Sequence, residues 1–392
     1  MKYRPFGKLG IKVSALGFGC MRLPTLGSRE KIDEPEATRM VHYAIDHGVN
    51  YFDTGHGYHG GNSERFLGRA LKGGYREKVL LATKLPLHTG EMTERGDFDR
   101  LLNEQLARLQ TDYLDFYLIH GIRLWTWEQV SRFDITSSAE KALADGRIRH
   151  FGFSFHATPG LFREIIDSYD GWSMCQIQYN FMNENYQAGT AGLEYAASKG
   201  IGVVVMEPLQ GGKLANPPRQ VQEVWDGVKS DRTPVEWALQ WLWNKPEVSV
   251  VLSGMSAMQH VEENVASAGR SGIGLLSPDD LALMERVRDT YEGLFPSSCT
   301  GCRYCIPCPN GVAIPDIFQM FNNGVVYDRL DDVRRRYLRG RLHEGELASA
   351  CVQCRECEDK CPQNITISEW MPYIHGVLGE GKPHEPETCS EF

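Results

Sequence analysis

Between Val13 and about residue 270 the chain alternates short apolar runs with longer stretches in which apolar residues return every three or four positions. The runs read as buried strands and the stretches as amphipathic helices. The first run is 13–19 (VSALGFG), and 36–47 follows with Ala37, Met40, Val41, Ala44 and Ile45 on one face. The order then repeats: 51–53 and 63–71, 79–83 and 98–109, 114–119 and a helix around 138–144, 148–153 and 159–168. It continues with 174–178 and 188–198, 203–206 and 235–243, and 248–252 and 260–268. Eight such pairs, over a length close to the ~250 residues usual for the architecture, predict an α/β fold of the closed (β/α)8, or TIM, barrel type. The alternative, an open doubly wound sheet, lacks the G-x-G-x-x-G turn that a dinucleotide-binding sheet carries after its first strand. The residues before Val13 predict a small hairpin across the barrel floor.

From Ser297 the alternation stops and the pattern becomes Cys299-x2-Cys302-x2-Cys305-x2-Cys308-Pro309, then Cys351-x2-Cys354-x2-Cys357-x3-Cys361-Pro362. Eleven cysteines in a small secreted protein would suggest disulfides, but eight of these fall in two tight clusters of a chain whose N-terminus shows no export signal, which points to metal. The second run has bacterial ferredoxin spacing and the first is one residue shorter before its last cysteine. The pair resembles a dicluster 4Fe-4S domain. That resemblance implies one cluster on Cys299, Cys302, Cys305 and Cys361, and a second on Cys351, Cys354, Cys357 and Cys308. Zinc is the alternative, since it too uses Cys-x2-Cys pairs, but two successive x2 spacings with a terminal Cys-Pro suit a cuboidal cluster better. Cys20, Cys175 and Cys389 are left as ordinary thiols.

The expected organisation is a barrel over 1–292, a mainly helical ferredoxin-like domain over 293–376, and a flexible Gly-, Pro- and Glu-rich tail over 377–392. Between the cysteine runs, 314–322 has a helical pattern and 330–341 is basic through Arg334, Arg335, Arg336, Arg339 and Arg341. That run reads as a solvated or charge-neutralising helix face, with docking of an acidic electron-transfer partner as the other reading.

Charge narrows the partners. Lys and Arg total 42 against 51 Asp and Glu, a formal net charge of -9. This argues against nucleic acid or anionic membrane as a general partner. Without a leader or a run of ~18 apolar residues, the expected location is the cytoplasm.

A barrel collects its chemistry at the carboxyl ends of its strands. Three ends carry reactive residues: Asp53 with Tyr58 after NYF, Lys84 in ATKLP, and His120 in DFYLIHG. A tyrosine with a pKa near 10 is a weak acid at neutrality, and a neighbouring ammonium is expected to lower that pKa. Asp53 can hold Lys84 charged, and His120 can donate to a carbonyl oxygen as charge develops on it. Taken one at a time, each of these residues also reads as an ordinary solvated or satisfied side chain; together they suit carbonyl reduction.

At these residues the sequence resembles the aldo-keto reductase superfamily, whose Asp, Tyr, Lys and His tetrad maps onto Asp53, Tyr58, Lys84 and His120. The resemblance covers roughly residues 1–290. It implies a nicotinamide cofactor, NADP or NAD, lying across the strand ends, and hydride transfer to an aldehyde or ketone with Tyr58 as acid. Ser154, in GFSFH, and Gln176, in CQIQYN, stand where the family binds the carboxamide, although Phe155 replaces the usual Asn. Met206 replaces a Tyr that often stacks on the nicotinamide. Pro208, Leu209 and Gly211 resemble the loop that crosses the pyrophosphate, with a simple turn as the alternative. Gly254, Ser256, His260, Glu263 and Asn264 resemble the adenosine segment. Gly254 and His260 stand where Lys and Arg commonly bind a 2′-phosphate, which weakens the preference for NADP over NAD while leaving NADP the leading expectation. In the loop after His120, Trp125 and Trp127 either line a substrate pocket or pack on the outer surface or against the C-terminal extension, and Arg123 is a candidate for binding an anionic group.

Hydride moves as an electron pair and 4Fe-4S clusters pass electrons singly, so the two halves suggest different chemistry. The leading expectation is carbonyl–alcohol interconversion on a small molecule, with clusters that are structural or electron-transferring. The alternatives are an enzyme whose clusters feed the barrel site, and a non-catalytic nicotinamide redox sensor, against which the intact tetrad argues.

Overall fold

The computed structural model describes residues 1–339, 342 and 344–389. The chain forms two compact units, Met1–Ala215 with Arg232–Leu281, and Asn216–Asp231 with the chain from Ala282 onward.

The strands of the first unit are β1 (Tyr3–Pro5), β2 (Lys12–Ser14), β3 (Leu16–Gly19), β4 (Tyr51–Asp53) and β5 (Leu80–Leu85). They continue as β6 (Leu114–Ile122), β7 (Ile148–Phe155), β8 (Met174–Gln178), β9 (Gly202–Met206) and β10 (Val248–Ser253). β3 to β10 run parallel and close into a barrel, with β10 pairing β3 through Ser253 and Phe18.

The run 13–19, which reads as one strand, is divided. Val13 pairs with Arg4 in an antiparallel hairpin of β1 and β2, and the first barrel strand starts at Leu16. Between them the Ala15 carbonyl accepts from Trp243 Nε1 and from the Val251 amide. Both halves of the run are buried, so hydrophobicity alone could not mark the break.

The hairpin closes the floor, as expected. Phe6 follows β1 and packs against Val13, Tyr51, Phe116, Met174 and Val250, with its ring centroid 4.8 Å from that of Phe116. Gly202 makes room for it: a methyl group there would lie 2.4 Å from the Phe6 ring. Because strand residues alternate sides, Met174 at this floor places Gln176 and Gln178 on the same inward face, each one layer nearer the carboxyl end.

The helices follow the periodic stretches. Glu34–Asp46 begins with a proline in its first turn and Asp33 as cap, accepting from the Glu36 amide at 3.3 Å. The link from β6 to β7 holds two helices, Leu124–Arg132 and Ile135–Ala144.

In the second unit the helices Ile314–Val326, Leu330–Arg339 and Ile367–Leu378 share a core that includes Phe318, Phe321, Tyr337, Trp370 and Ile374. The chain beyond Gly376 departs from the flexible tail that its composition predicts. Val377 and Leu378 are buried, the Lys382 amide donates to the Gly376 carbonyl, and Tyr373 Oη donates to the Glu385 carbonyl. Two apolar residues and these backbone acceptors tie it down; 390–392 lie outside the described residues. No described helix is long and apolar enough to cross a membrane.

Candidate active site

Asp53 ends β4, and Lys84 lies one residue from the end of β5, so adjacent strands deliver both to one point. Lys84 Nζ donates to Asp53 Oδ1 at 2.6 Å, to the Thr54 carbonyl at 2.7 Å and to Tyr58 Oη at 3.3 Å. Gln176 Nε2 donates to the other carboxylate oxygen of Asp53 at 3.4 Å. Tyr58 folds back over Gly55, where a methyl group would come within 3.1 Å of its ring. His59, Gly60 and Gly61 then adopt left-handed φ of 53°, 64° and 88°, which turns the chain into the helix Asn62–Ala70. His59 is pinned in that turn, bonded through Nδ1 to the Arg29 carbonyl and accepting at Nε2 from the Leu23 amide. His120 stands edge-on to Tyr58, with centroids 5.8 Å apart at 76°. The structure thus gathers all four tetrad residues.

Burial dominates the electrostatics. It pushes the Asp53 carboxyl above its usual value, although Lys84 and Gln176 work against the rise. Burial also works against the Lys84 ammonium, yet Asp53 and Tyr58 outweigh it and hold the pKa above the ordinary lysine value. Tyr58 differs from expectation: its pKa is raised. Removal from water is the largest cause, the pull of Lys84 offsets part of it, and the Asp53 charge adds to the rise. The phenol is therefore protonated at neutral pH and available as a donor. Cys20, just beyond β3, has its thiol pKa pushed up by the same burial, which leaves it an inert neighbour.

A second, buried layer holds the lysine strand. Glu64 accepts from Thr83 Oγ1 at 2.7 Å, Gln105 Nε2 at 2.6 Å and Arg108 Nη1 at 3.2 Å. Gln105 also donates to the Lys84 carbonyl at 3.1 Å, and Tyr117 donates to Gln105 Oε1 at 2.8 Å. His120 sits at an irregularity where the β6–β7 register shifts after Ile119. Ser154 Oγ accepts from the Gly121 amide at 2.7 Å and so fastens that irregularity.

The candidate cofactor residues divide. Among the described residues Gln176 Oε1 is buried without a hydrogen-bond partner, and a carboxamide N–H would satisfy it. Met206 lies beside Gln178 at the ends of β9 and β8. Gln178, which sequence reasoning passed over, is 3% exposed, and among the described residues neither of its amide atoms has a partner. Its only sequence signal is parity with Gln176. After β9, Pro208 is buried, and Gln210, Gly211 and Gly212 take left-handed φ of 48°, 71° and 96°. After β10, Ser256 is exposed and its amide donates to His260 Nδ1 at 3.4 Å. Glu263 is exposed and accepts from Gln259, whereas Asn264 is buried with its amide donating to Ser253 Oγ at 3.1 Å. Trp127 Nε1 donates to Glu164 on the neighbouring helix, and Trp125 is exposed.

In the second unit a cavity is lined by Cys299, Cys302, Cys305 and Cys361, with Ile314 and Phe318 as part of its apolar wall. Cys351 lies within electrostatic reach of Cys308 and Cys354, and Cys357 within reach of both Cys351 and Cys305. Cys361 of the second run thus lies with the first run, and Cys308 of the first run beside the second. Among the described residues no three His, Cys, Asp or Glu side chains are placed to hold a single ion. A cuboidal cluster spaces its thiolates more widely than zinc does. Of the basic run, Arg334 and Arg335 pair with Asp331 and Asp332, and Arg334 also donates to the Val377 carbonyl; Arg341 lies outside the described residues.

A model of the aldo/keto reductase family matches residues 15–288, and one of the 4Fe-4S dicluster domain matches residues 298–366. The chain belongs to the aldo/keto reductase family and carries a 4Fe-4S dicluster domain after its barrel. It is 30% identical over 316 residues to L-galactose dehydrogenase of Arabidopsis thaliana, covering 75% of this chain and 96% of that protein. Protein tas of Escherichia coli is 26% identical over 350 residues, covering 74% and 99%. Among solved structures, the holo form of the aldo-keto reductase AKR11C1 from Bacillus halodurans superimposes with a TM-score of 0.62 at 26% identity, over 73% of this chain and 96% of that one.

Proposed function

We propose that the barrel interconverts a carbonyl and an alcohol on a small molecule by hydride transfer with NADPH or NADH, and that Tyr58 is the general acid and base. The observation that carries this reading is the buried ammonium of Lys84, bonded at once to Asp53 and Tyr58 at the strand ends. When bound, the nicotinamide supplies the hydride to the carbonyl carbon. Tyr58 gives its phenolic proton to the carbonyl oxygen, and Lys84 stabilises the phenolate left behind until solvent returns the proton. Asp53 keeps Lys84 charged and aimed. His120 donates to the same oxygen as negative charge builds on it. In the oxidative direction the Tyr58 phenolate takes the alcohol proton. Gln176 fits a carboxamide through its unpartnered Oε1, and the turned backbone at Gly211 fits a close-lying diphosphate.

The cysteines would hold two 4Fe-4S clusters, one on Cys299, Cys302, Cys305 and Cys361 and the other on Cys351, Cys354, Cys357 and Cys308. Cysteines kept for iron-sulfur ligation rather than for disulfides suit a reducing compartment, the cytoplasm. Tyr58→Phe tests the barrel chemistry. Against a panel of aldehydes and ketones, NAD(P)H oxidation should fall by about 10²–10⁴, and undiminished turnover would overturn the assignment.

A further inference from the structure

We infer that Arg22 is a phosphate clamp over the mouth of the barrel, binding the diphosphate bridge of the dinucleotide; the inference rests on the cofactor reading above. Arg22 ends the short turn Cys20–Arg22 that leaves β3. Because β3 pairs with β10 to close the barrel, this turn stands beside the loops that follow β9 and β10. Those are the seventh and eighth barrel strands, whose loops commonly form the phosphate site of (β/α)8 proteins.

The contacts are specific. A methyl group built on Gly254 would lie 3.2 Å from Arg22 Cδ and 3.4 Å from Cβ and Cγ, and one built on Gly211 would lie 3.1 Å from Nη2. The aliphatic stem therefore lies along Gly254 while the guanidinium reaches the glycine turn after β9. Gly254 serves as a bed for the arginine stem, which a methyl group there would displace by a few tenths of an ångström. Among the described residues the guanidinium has no hydrogen bond and no ion pair. A permanently charged fork thus lies over a turn of three successive left-handed residues, Gln210, Gly211 and Gly212; the Gln210 and Gly212 amides are taken by the Glu207 and Leu209 carbonyls, so the guanidinium is the main donor offered to an anion there. Guanidinium and phosphate match in charge and in paired hydrogen-bonding geometry. Since the charged end lies at Gly211 and only the stem lies at Gly254, the target is the diphosphate shared by NAD and NADP, not the 2′-phosphate that separates them.

The test is equilibrium binding to the full-length protein, followed by calorimetry or nucleotide fluorescence. Arg22→Ala should raise the Kd for NADPH and for NADH by the same factor, about 10- to 100-fold, and Arg22→Lys should recover part of the loss. Gly254→Ala should weaken binding by displacing the stem, yet add little in the Arg22→Ala background. Inorganic pyrophosphate, titrated alone, should bind the wild type and lose affinity in Arg22→Ala. Unchanged affinities in Arg22→Ala would overturn the inference, as would a loss confined to NADPH. Pyrophosphate binding that depends on Arg22, in a protein that takes neither nucleotide, would support the clamp and overturn the cofactor reading instead.

Discussion

Among the described residues, Lys84→Met removes the one cation paired with a carboxylate that is 2% exposed. In the wild type the ammonium is 2.6 Å from Asp53 Oδ1, and the remaining side-chain donor, Gln176, is at 3.4 Å from Oδ2. Breaking a buried pair from one side typically costs about 3–5 kcal/mol, because the surviving charge stays desolvated. The same reasoning fixes the pH dependence. Asp53 is already raised by burial against the opposing pull of Lys84, so losing Lys84 raises it further. Between the unfolded value, about 3.9, and the raised folded value, the native state holds one more proton than the unfolded chain. Stability in the variant should therefore fall as pH rises through that window, by up to about 1.4 kcal/mol per pH unit, and the penalty should be absent below the unfolded value. Urea unfolding under anaerobic conditions at pH 7.5 and pH 5.5, followed by far-UV circular dichroism, measures both effects. The double variant Asp53→Asn/Lys84→Met is the reference, since it keeps every other titrating group and leaves no buried charge; it should regain most of the loss at pH 7.5. A Lys84→Met protein within about 1 kcal/mol of wild type at pH 7.5 would refute the reasoning. So would a penalty that acidification leaves untouched.

Other outcomes follow from the same geometry. Phe6→Ala empties a fully buried site in the floor and should cost about 3–5 kcal/mol in urea unfolding; a much smaller loss would mean that the hairpin does not seal the barrel. Because Tyr58 is raised, its protonated form should persist through neutrality. The reductive kcat should therefore not decline through loss of this proton between about pH 6 and 8, and should fall only above the ordinary phenol value of about 10; a kcat that drops on one ionisation near neutrality would contradict this. Cys361→Ser should remove the cluster carried by Cys299, Cys302 and Cys305 and spare the other, read as a partial loss of iron with one reducible signal left in low-temperature EPR. Loss of the cluster of the second run instead would reverse the crossed assignment.

The barrel was legible because β4, β5, β8 and β10 are short apolar runs broken by glycine or polar turns, and each is followed by a periodic stretch. The tetrad was legible because Asp53, Lys84 and His120 all fall at strand ends, where side chains converge whatever their distance in sequence. What stayed hidden depended on burial and on contacts between distant elements. The division of 13–19 escaped because hairpin and barrel strand are both buried, so hydrophobicity does not change between them. The direction of the Tyr58 shift escaped because proximity to Lys84 can be read from spacing, whereas the larger cost of desolvation cannot. Gln178 gave no motif and shows itself only as a buried amide with no partner among the described residues. Arg22 belongs to no motif, and only barrel closure lays its stem along Gly254, far away in sequence.

The central claim is hydride transfer to a carbonyl with Tyr58 as proton donor, and the most direct measurement is an anaerobic single turnover. Protein carrying its clusters is mixed with NADPH or NADH deuterated at C4 and with a carbonyl substrate. The visible spectrum of the clusters is followed, and the alcohol is analysed by mass spectrometry. The account predicts one deuterium on the carbinol carbon for each deuterated cofactor oxidised at the labelled position, an unchanged cluster spectrum during turnover, and no product from Tyr58→Phe on the same timescale. Alcohol without deuterium, formed as the clusters change oxidation state, would contradict it and assign the reduction to single electrons from the iron-sulfur domain.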